Sequence, residues 1–234
     1  MALRTEELAK TIDQTLLDVG ASQGEVEALC RRAHELHLAS VCVVPGHVPT
    51  AAQELRGGDV KVCCVVGFPT GAASQTKKIA EAERALADGA GELEFVLNVH
   101  ALRKGDVRLV RDELVAFART IRMRTENGGR GAVVLKAIVG TQHLDTKLIQ
   151  LACGIIERAG IDFAQTSTGH GGNVTTLQDV ELLRDCLSES VGVKASGGIE
   201  TIEDVLAMVN AGAGRIGSPV AVDLLPGSAT LARA

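Results

Sequence analysis

One local pattern repeats from end to end of this 234-residue chain. A short apolar run closes on Gly, Pro, Ser or Thr, and a stretch of helical periodicity follows. The runs cover 12–15, 40–44, 60–67, 92–98, 133–139, 161–166, 191–196 and 214–217. Helices are predicted between them over 23–38, 47–56, 74–89, 106–125, 145–159, 175–189 and 200–211. Within 26–36, Val26, Leu29, Cys30, Ala33 and Leu36 share one face; within 145–159, Leu148, Leu151, Ala152, Ile155 and Ile156 do so. Thr175 or Thr176 can cap the helix that follows, with Asp179 placed three residues after Thr176. Eight strands in 234 residues leave about 29 residues per unit, the spacing needed by parallel strands joined through helical crossovers. A closed TIM (β/α)8 barrel is the natural solution for strands with so few polar breaks. An open doubly wound sheet is the rival, but its Gly-x-Gly-x-x-Gly turn is missing, as is the lysine loop of nucleotide hydrolases. No domain boundary interrupts the pattern, so residues 1–234 are read as one domain. The segment 125–131 is a loop before the fifth strand, and 219–234 is read as a weak closing helix.

Composition narrows the function classes. Lys plus Arg number 24 against 29 Asp plus Glu, a net charge of -5, which argues against a surface built to wrap nucleic acid. Trp and Tyr are absent and Phe numbers four, so stacking platforms for bases are lacking. No apolar stretch reaches the length of a membrane span, and Met1 to Glu7 does not read as a signal peptide, so a cytoplasmic protein is expected. Cys30, Cys42, Cys63, Cys64, Cys153 and Cys186 form no Cys-x-x-Cys pair and read as buried free thiols, with neither zinc nor disulfides implied.

The informative residues are polar groups inside the apolar strands. Strand four carries Glu92 and Glu94, strand five Lys136, strand six Gln165 and strand seven Lys194. A charge in a covered strand is costly unless paired. Glu94, Lys136 and Lys194 could neutralise one another as a purely structural network. Two lysines and a carboxylate at one barrel mouth also make a reactive site. There, burial and neighbouring positive charge are expected to lower a lysine's pKa and free its amine for a carbonyl, while the carboxylate moves protons.

Glycine turns follow the later strands. Thr166-Ser167-Thr168-Gly169-His170-Gly171-Gly172 comes after strand six, Ser196-Gly197-Gly198 after strand seven, and Arg215-Ile216-Gly217-Ser218 ends strand eight. Converging backbone N–H groups there suit an anion, and a phosphate ester fits better than a free carboxylate. Gly169, His170, Ser196, Gly197, Gly198, Gly217 and Ser218 are therefore candidate phosphate contacts. Asp13 and Thr15, closing strand one, could hold substrate hydroxyls, and His143 after strand five could line the mouth. Lys77 and Lys78 read as a solvated helix face. His34 and His37 lack a third ligand for a metal.

Taken in order, the motifs Asp13-Gln14-Thr15-Leu16-Leu17, Val65-Val66-Gly67-Phe68-Pro69-Thr70-Gly71, Gly91-Glu92-Leu93-Glu94, Leu135-Lys136-Ala137-Ile138, Gln165-Thr166-Ser167-Thr168-Gly169 and Lys194-Ala195-Ser196-Gly197-Gly198 resemble those of the deoxyribose-phosphate aldolases. The resemblance covers nearly the whole chain. It implies a barrel, a class I lyase that splits 2-deoxyribose 5-phosphate through a lysine imine, and no metal or organic cofactor.

The resemblance also marks departures. Gln165 stands where the family places its imine-forming lysine, and an amide cannot form an iminium. Lys194 matches the family's second active-site lysine and Lys136 the lysine on the neighbouring strand, while Glu94 replaces the catalytic aspartate with a longer carboxylate. Gln14, Gly140 and His170 also differ from the usual residues. Pro219 removes a backbone N–H expected at the phosphate. Three activities are compatible with these residues. One is an aldolase-like lyase on a small, phosphorylated aldehyde or deoxysugar with its amine moved to Lys194 or Lys136, Gln165 contacting substrate. The second is a non-imine isomerase, dehydratase or cyclase using Glu94, Lys136 and Lys194. The third is an inactive ligand-binding homologue. The partner expected is a small molecule, with no nucleic acid or membrane, and pairing into a homodimer is an analogy from the fold.

Overall fold

The computed structural model describes residues 4–127, 132–172, 174–220 and 225. Eight strands, β1 (Ile12–Leu16), β2 (Ser40–Val43), β3 (Lys61–Val66), β4 (Glu92–Val96), β5 (Val134–Ile138), β6 (Phe163–Gln165), β7 (Gly192–Ser196) and β8 (Arg215–Ser218), pair in parallel, each with its sequence neighbour. β1 also pairs with β8, closing the TIM (β/α)8 barrel. Nearly every strand residue is buried because helices cover the outer face and side chains fill the inner one. Each run closes within a few residues of its predicted bounds.

The helices are α1 (Thr5–Ala9), α2 (Gln23–Glu35), α3 (Val48–Glu54), α4 (Gln75–Ala87), α5 (Val99–Arg103), α6 (Val107–Asn127), α7 (Thr146–Ala159), α8 (Leu177–Cys186) and α9 (Ile202–Asn210). Side-chain caps set several starts: Ser22, Ser74, Asp145, Thr176 and Thr201 each accept a backbone N–H of the first turn. The predicted helices at 23–38 and 175–189 overrun because their last residues leave helical geometry at Leu36 and Leu187. The short α1 and α5 were not predicted; five residues carry too little periodicity to register. α2 buries Val26, Cys30 and Ala33 as expected. α7 turns Leu151 out to solvent and buries Ile149 and Cys153 instead, because its contact stripe is centred on 149, 152, 153 and 156. α6 takes up the start of the expected 125–131 loop; residues 128–131 lie outside the described residues, as do 221–224 and 226–234 of the expected closing helix. No helix among the described residues is long and apolar enough to cross a membrane.

The main core lies between strands and helices, where outward-facing Val41, Val43, Leu93, Phe95, Leu135, Val193 and Ile216 meet the helix faces. A small second cluster, Cys42, Val44, Cys63 and Val65 with Leu17 and Phe68, sits inside the barrel toward its mouth. Period-two alternation sends the charged residues inward as well. Lys78 corrects the expectation of a solvated face. It is fully buried, donates to Val96 O and Glu113 Oε2 at 3.0 Å each, and rides over the Phe95 ring at 4.3 Å.

Candidate active site

Six charged side chains meet inside the barrel: Asp13, Glu92 and Glu94 against Lys136, Lys194 and Arg215. Lys136 Nζ lies 2.7 Å from Asp13 Oδ2, 2.7 Å from Glu92 Oε2 and 3.2 Å from Glu94 Oε1. Lys194 Nζ lies 2.9 Å from Asp13 Oδ2 and also donates to Glu94 Oε1. Arg215 spans Asp13 and Glu92, reaching Glu92 Oε2 at 2.9 Å. Ser40 donates to Asp13 Oδ1 at 2.6 Å. Three carboxylates therefore face three cations, and the cluster is neutral as a unit. Such balance is the condition under which buried charge is tolerated.

This network corrects two expectations. Asp13 does not line the cleft to hold substrate hydroxyls; every one of these contacts ties it into the network. The lysines are not poised as free amines either. Burial pulls Lys136 and Lys194 down, but Asp13 and Glu94 outweigh it, and both ammonium groups are held above their ordinary range. The expected effect of neighbouring positive charge is present but smaller than that of the two carboxylates. Conversely, although burial pushes Glu94 upward, Lys194 and Lys136 win and hold it at about 2. Asp13 is held well below its usual value by Lys136, Lys194 and Arg215 against the same burial.

Above the network the strand ends open into a cleft of about 930 Å³. Of the predicted site residues, Thr15, Glu94, Gln165, Gly169, His170, Ser196, Gly197, Gly198 and Gly217 line it. Lys136 and Lys194 do not; both are 0% exposed beneath Glu94 and Asp13. Gly217 has a packing reason: a Cβ there would stand 2.9 Å from Lys194 Cε and 2.7 Å from Ser196 Oγ, so glycine makes room for the lysine. Ser218 lies outside the lining and donates its hydroxyl to Ile199 O at 2.8 Å. His143 lines a separate, smaller recess with His100, Arg103 and Gly140, and His170 borders both hollows. His170 also meets Phe68 edge-on at 5.6 Å.

Gln165 occupies the floor beside Glu94 and is 2% exposed. Its Nε2 donates to Ser167 O at 2.8 Å, while its Oε1 has no hydrogen-bond partner. Sequence reasoning missed Arg215 as the partner of Asp13 and Glu92. It also missed Asp18, Glu81 and Glu200 on the cleft lining. The spacing of 215 and 217 on one strand face could have revealed the arginine; loop carboxylates carry no such signal.

Cys42, Cys63 and Glu94 bring potential metal-ligand atoms within 4.8 Å of one another. Burial pushes the Cys63 thiol well up, and Lys136 Nζ stands 3.7 Å from its sulfur. Two ammonium groups already compensate Glu94, so this donor set is matched to lysine rather than to a second cation.

Residues 8–221 match the model of the DeoC/LacD family aldolases. The deoxyribose-phosphate aldolase 1 of Bacillus licheniformis is 40% identical over 223 residues, covering 95% of this chain and 96% of its own. The deoxyribose-phosphate aldolase of Thermoanaerobacter pseudethanolicus is 42% identical over 217 residues, covering 93% and 95%. Among solved structures, the tetrameric deoxyribose phosphate aldolase from Aeropyrum pernix superposes with a TM-score of 0.85 at 30% identity, over 97% of this chain and 93% of that one. With the closed barrel and the charged strand ends in the same order as the motifs, these matches establish that the chain belongs to the DeoC/LacD aldolase family.

Proposed function

We propose that this protein is a carbon–carbon lyase acting on a small hydroxy-carbonyl compound by acid–base chemistry at Glu94. Family membership supports the reaction class. The observation that carries the mechanism is that Glu94 reaches the cleft while the two lysines that hold it ionised do not. In the cleavage direction the Glu94 carboxylate takes the proton of the substrate's β-hydroxyl. The carbon–carbon bond breaks, its electron pair passes to the carbonyl fragment as an enolate, and the other fragment leaves as an aldehyde. Glu94, now protonated, returns the proton to the enolate carbon. A carboxylate held at about 2 is a weak base. Once Glu94 carries the proton, the two ammonium groups beneath it are no longer fully balanced, and that fixed positive charge under the cleft floor favours the developing enolate.

Glu94→Gln is expected to slow solvent-deuterium exchange at the methyl carbon of acetaldehyde on the order of a hundredfold, the scale of a lost general base. Proton NMR in deuterated buffer reads the rate. A Glu94→Gln protein that exchanges as fast as the parent would overturn the assignment, and a parent that exchanges no faster than buffer would favour a barrel that only binds.

A second reading, imine formation on Lys194, is favoured by its register position directly beside Gln165. It requires Lys194 to lose its proton and leave both Asp13 and Glu94. Covalent trapping separates the two.

A further inference from the structure

We propose that the smaller recess beside the cleft is an oxyanion subsite, taking a carboxylate or phosphate group carried by a substrate whose carbonyl end lies over Glu94. The placement of the carbonyl end rests on the lyase reading; the anion subsite does not. The recess holds about 280 Å³ and is built by the segments that follow three successive strands. α5, after β4, supplies His100 and Arg103; the turn after β5 supplies Gln142 and His143; the turn after β6 supplies His170. These are carboxyl ends of barrel strands, the face on which sites in this fold lie.

The donor set fits an anion. Three imidazoles and a guanidinium line the recess, and none of the described lining residues is acidic. The main cleft, by contrast, is bordered by Asp18, Glu81, Glu94 and Glu200, in a chain of net charge -5. His100, Arg103, Gln142 and His143 are exposed, and among the described residues their side chains make no hydrogen bond or ion pair. Their donors are therefore uncommitted. The Arg103 guanidinium presents N–H groups in a planar fork that matches two oxygens of a carboxylate or phosphate, and the amide and ring N–H groups can add to it.

The position of the recess ties it to the reacting end. Val96 and Ile138 line it from the barrel side. They follow Glu94 and Lys136 by two residues on the paired strands β4 and β5, so they share the inward face one layer nearer the mouth. Two strand residues span about 6.6 Å, which suits an open chain of about five carbons with a carbonyl at one end and an anion at the other. The two hollows are continuous, since Pro69, Ile138, Thr168 and His170 line both. Gly140 keeps the recess open: its φ is 73°, and a Cβ there would stand 3.0 Å from Val99 Cγ2, another lining atom. Gly140 and His170 are also two of the positions at which the sequence departs from the family's usual residues. Gly197, Gly198 and Gly217 line only the cleft, so the recess is additional to any anion contact made there.

Proton–carbon NMR of the histidine rings in the whole protein tests the subsite, with His34 and His37, outside the recess, as internal controls. The probes are 5-oxopentanoate, its neutral counterpart pentanal, and inorganic phosphate. The anions are expected to shift the His100 and His143 resonances saturably at millimolar concentration, and the tighter of the two names the preferred group. Pentanal is expected to leave both in place. Arg103→Gln, at an exposed position, should weaken the preferred anion about tenfold, the scale of one charge-assisted hydrogen bond, with an unchanged thermal midpoint. No saturable shift with either anion, equal shifts with pentanal, or an Arg103→Gln protein that binds like the parent would each overturn the proposal. Exchange of the α-protons of 5-oxopentanoate in deuterated buffer then locates the carbonyl end. Arg103→Gln should raise KM about tenfold with kcat unchanged and leave pentanal exchange as it was; an unchanged KM would overturn the link between the two hollows. Histidine shifts in a parent protein that catalyses no exchange would overturn the lyase reading and leave the anion subsite standing.

Discussion

Asp13 is held from four sides, accepting from Lys136, Lys194, Arg215 and Ser40. Its role is to balance cations that would otherwise be stranded in a dry interior. Asp13→Asn should therefore destabilise the fold by about 3–5 kcal/mol, the cost of removing one partner from a buried charged group, as read by urea unfolding. A loss below about 1 kcal/mol, the worth of an exposed pair, would show that water reaches the network. The participants were partly visible in the sequence, because charged residues in apolar strands announce themselves at 94, 136 and 194. Their pairing was not. Asp13 and Arg215 sit at opposite ends of the chain and meet only because β1 and β8 close the barrel. Without that closure, nothing shows that two carboxylates share Lys194 and reverse the shift expected for its amine. Lys78 was misread for the same reason, since its partner Glu113 lies on another helix.

At the level of elements, spacing told most of the story. Strands were legible because parallel barrel strands are covered on both faces and read as unbroken apolar runs. Helices were legible where an apolar stripe ran for three turns or more, as in α2 and α7, and illegible in the one-turn α5. The β8 glycine shows what a local pattern cannot convey. Gly217 sits in a Gly-Ser turn that looks built for an anion, yet the space over its Cα is filled by Lys194 and Ser196. Gly217→Ala should cost about 1–3 kcal/mol through overpacking and lower the thermal midpoint, with no compensating change in phosphate affinity. An alanine protein as stable as the parent but weaker for inorganic phosphate would restore the anion reading.

For the whole molecule, the neutral network ties stability to pH in a defined window. Glu94 and Asp13 have folded values below their unfolded ones, so their contribution is present above the ordinary carboxylate range and lost as pH falls through the folded value, about 2 for Glu94. Lys136 and Lys194 have raised values, so theirs is present below the ordinary lysine range and lost only in strong alkali. The urea midpoint should fall steeply as pH drops below about 4 and show no step from this network near neutrality. A midpoint that rises on acidification would contradict the ionised network.

The central claim is that the lysines serve as fixed ammonium groups and that Glu94, with no amine nucleophile, does the chemistry. It is tested most directly by borohydride reduction of the protein in the presence of acetaldehyde and of 2-deoxyribose, followed by peptide mass mapping, with Lys194→Met alongside. The account predicts no reduced adduct on Lys136 or Lys194. An adduct mapped to Lys194, absent from the Lys194→Met protein, would contradict it and assign the imine to that lysine.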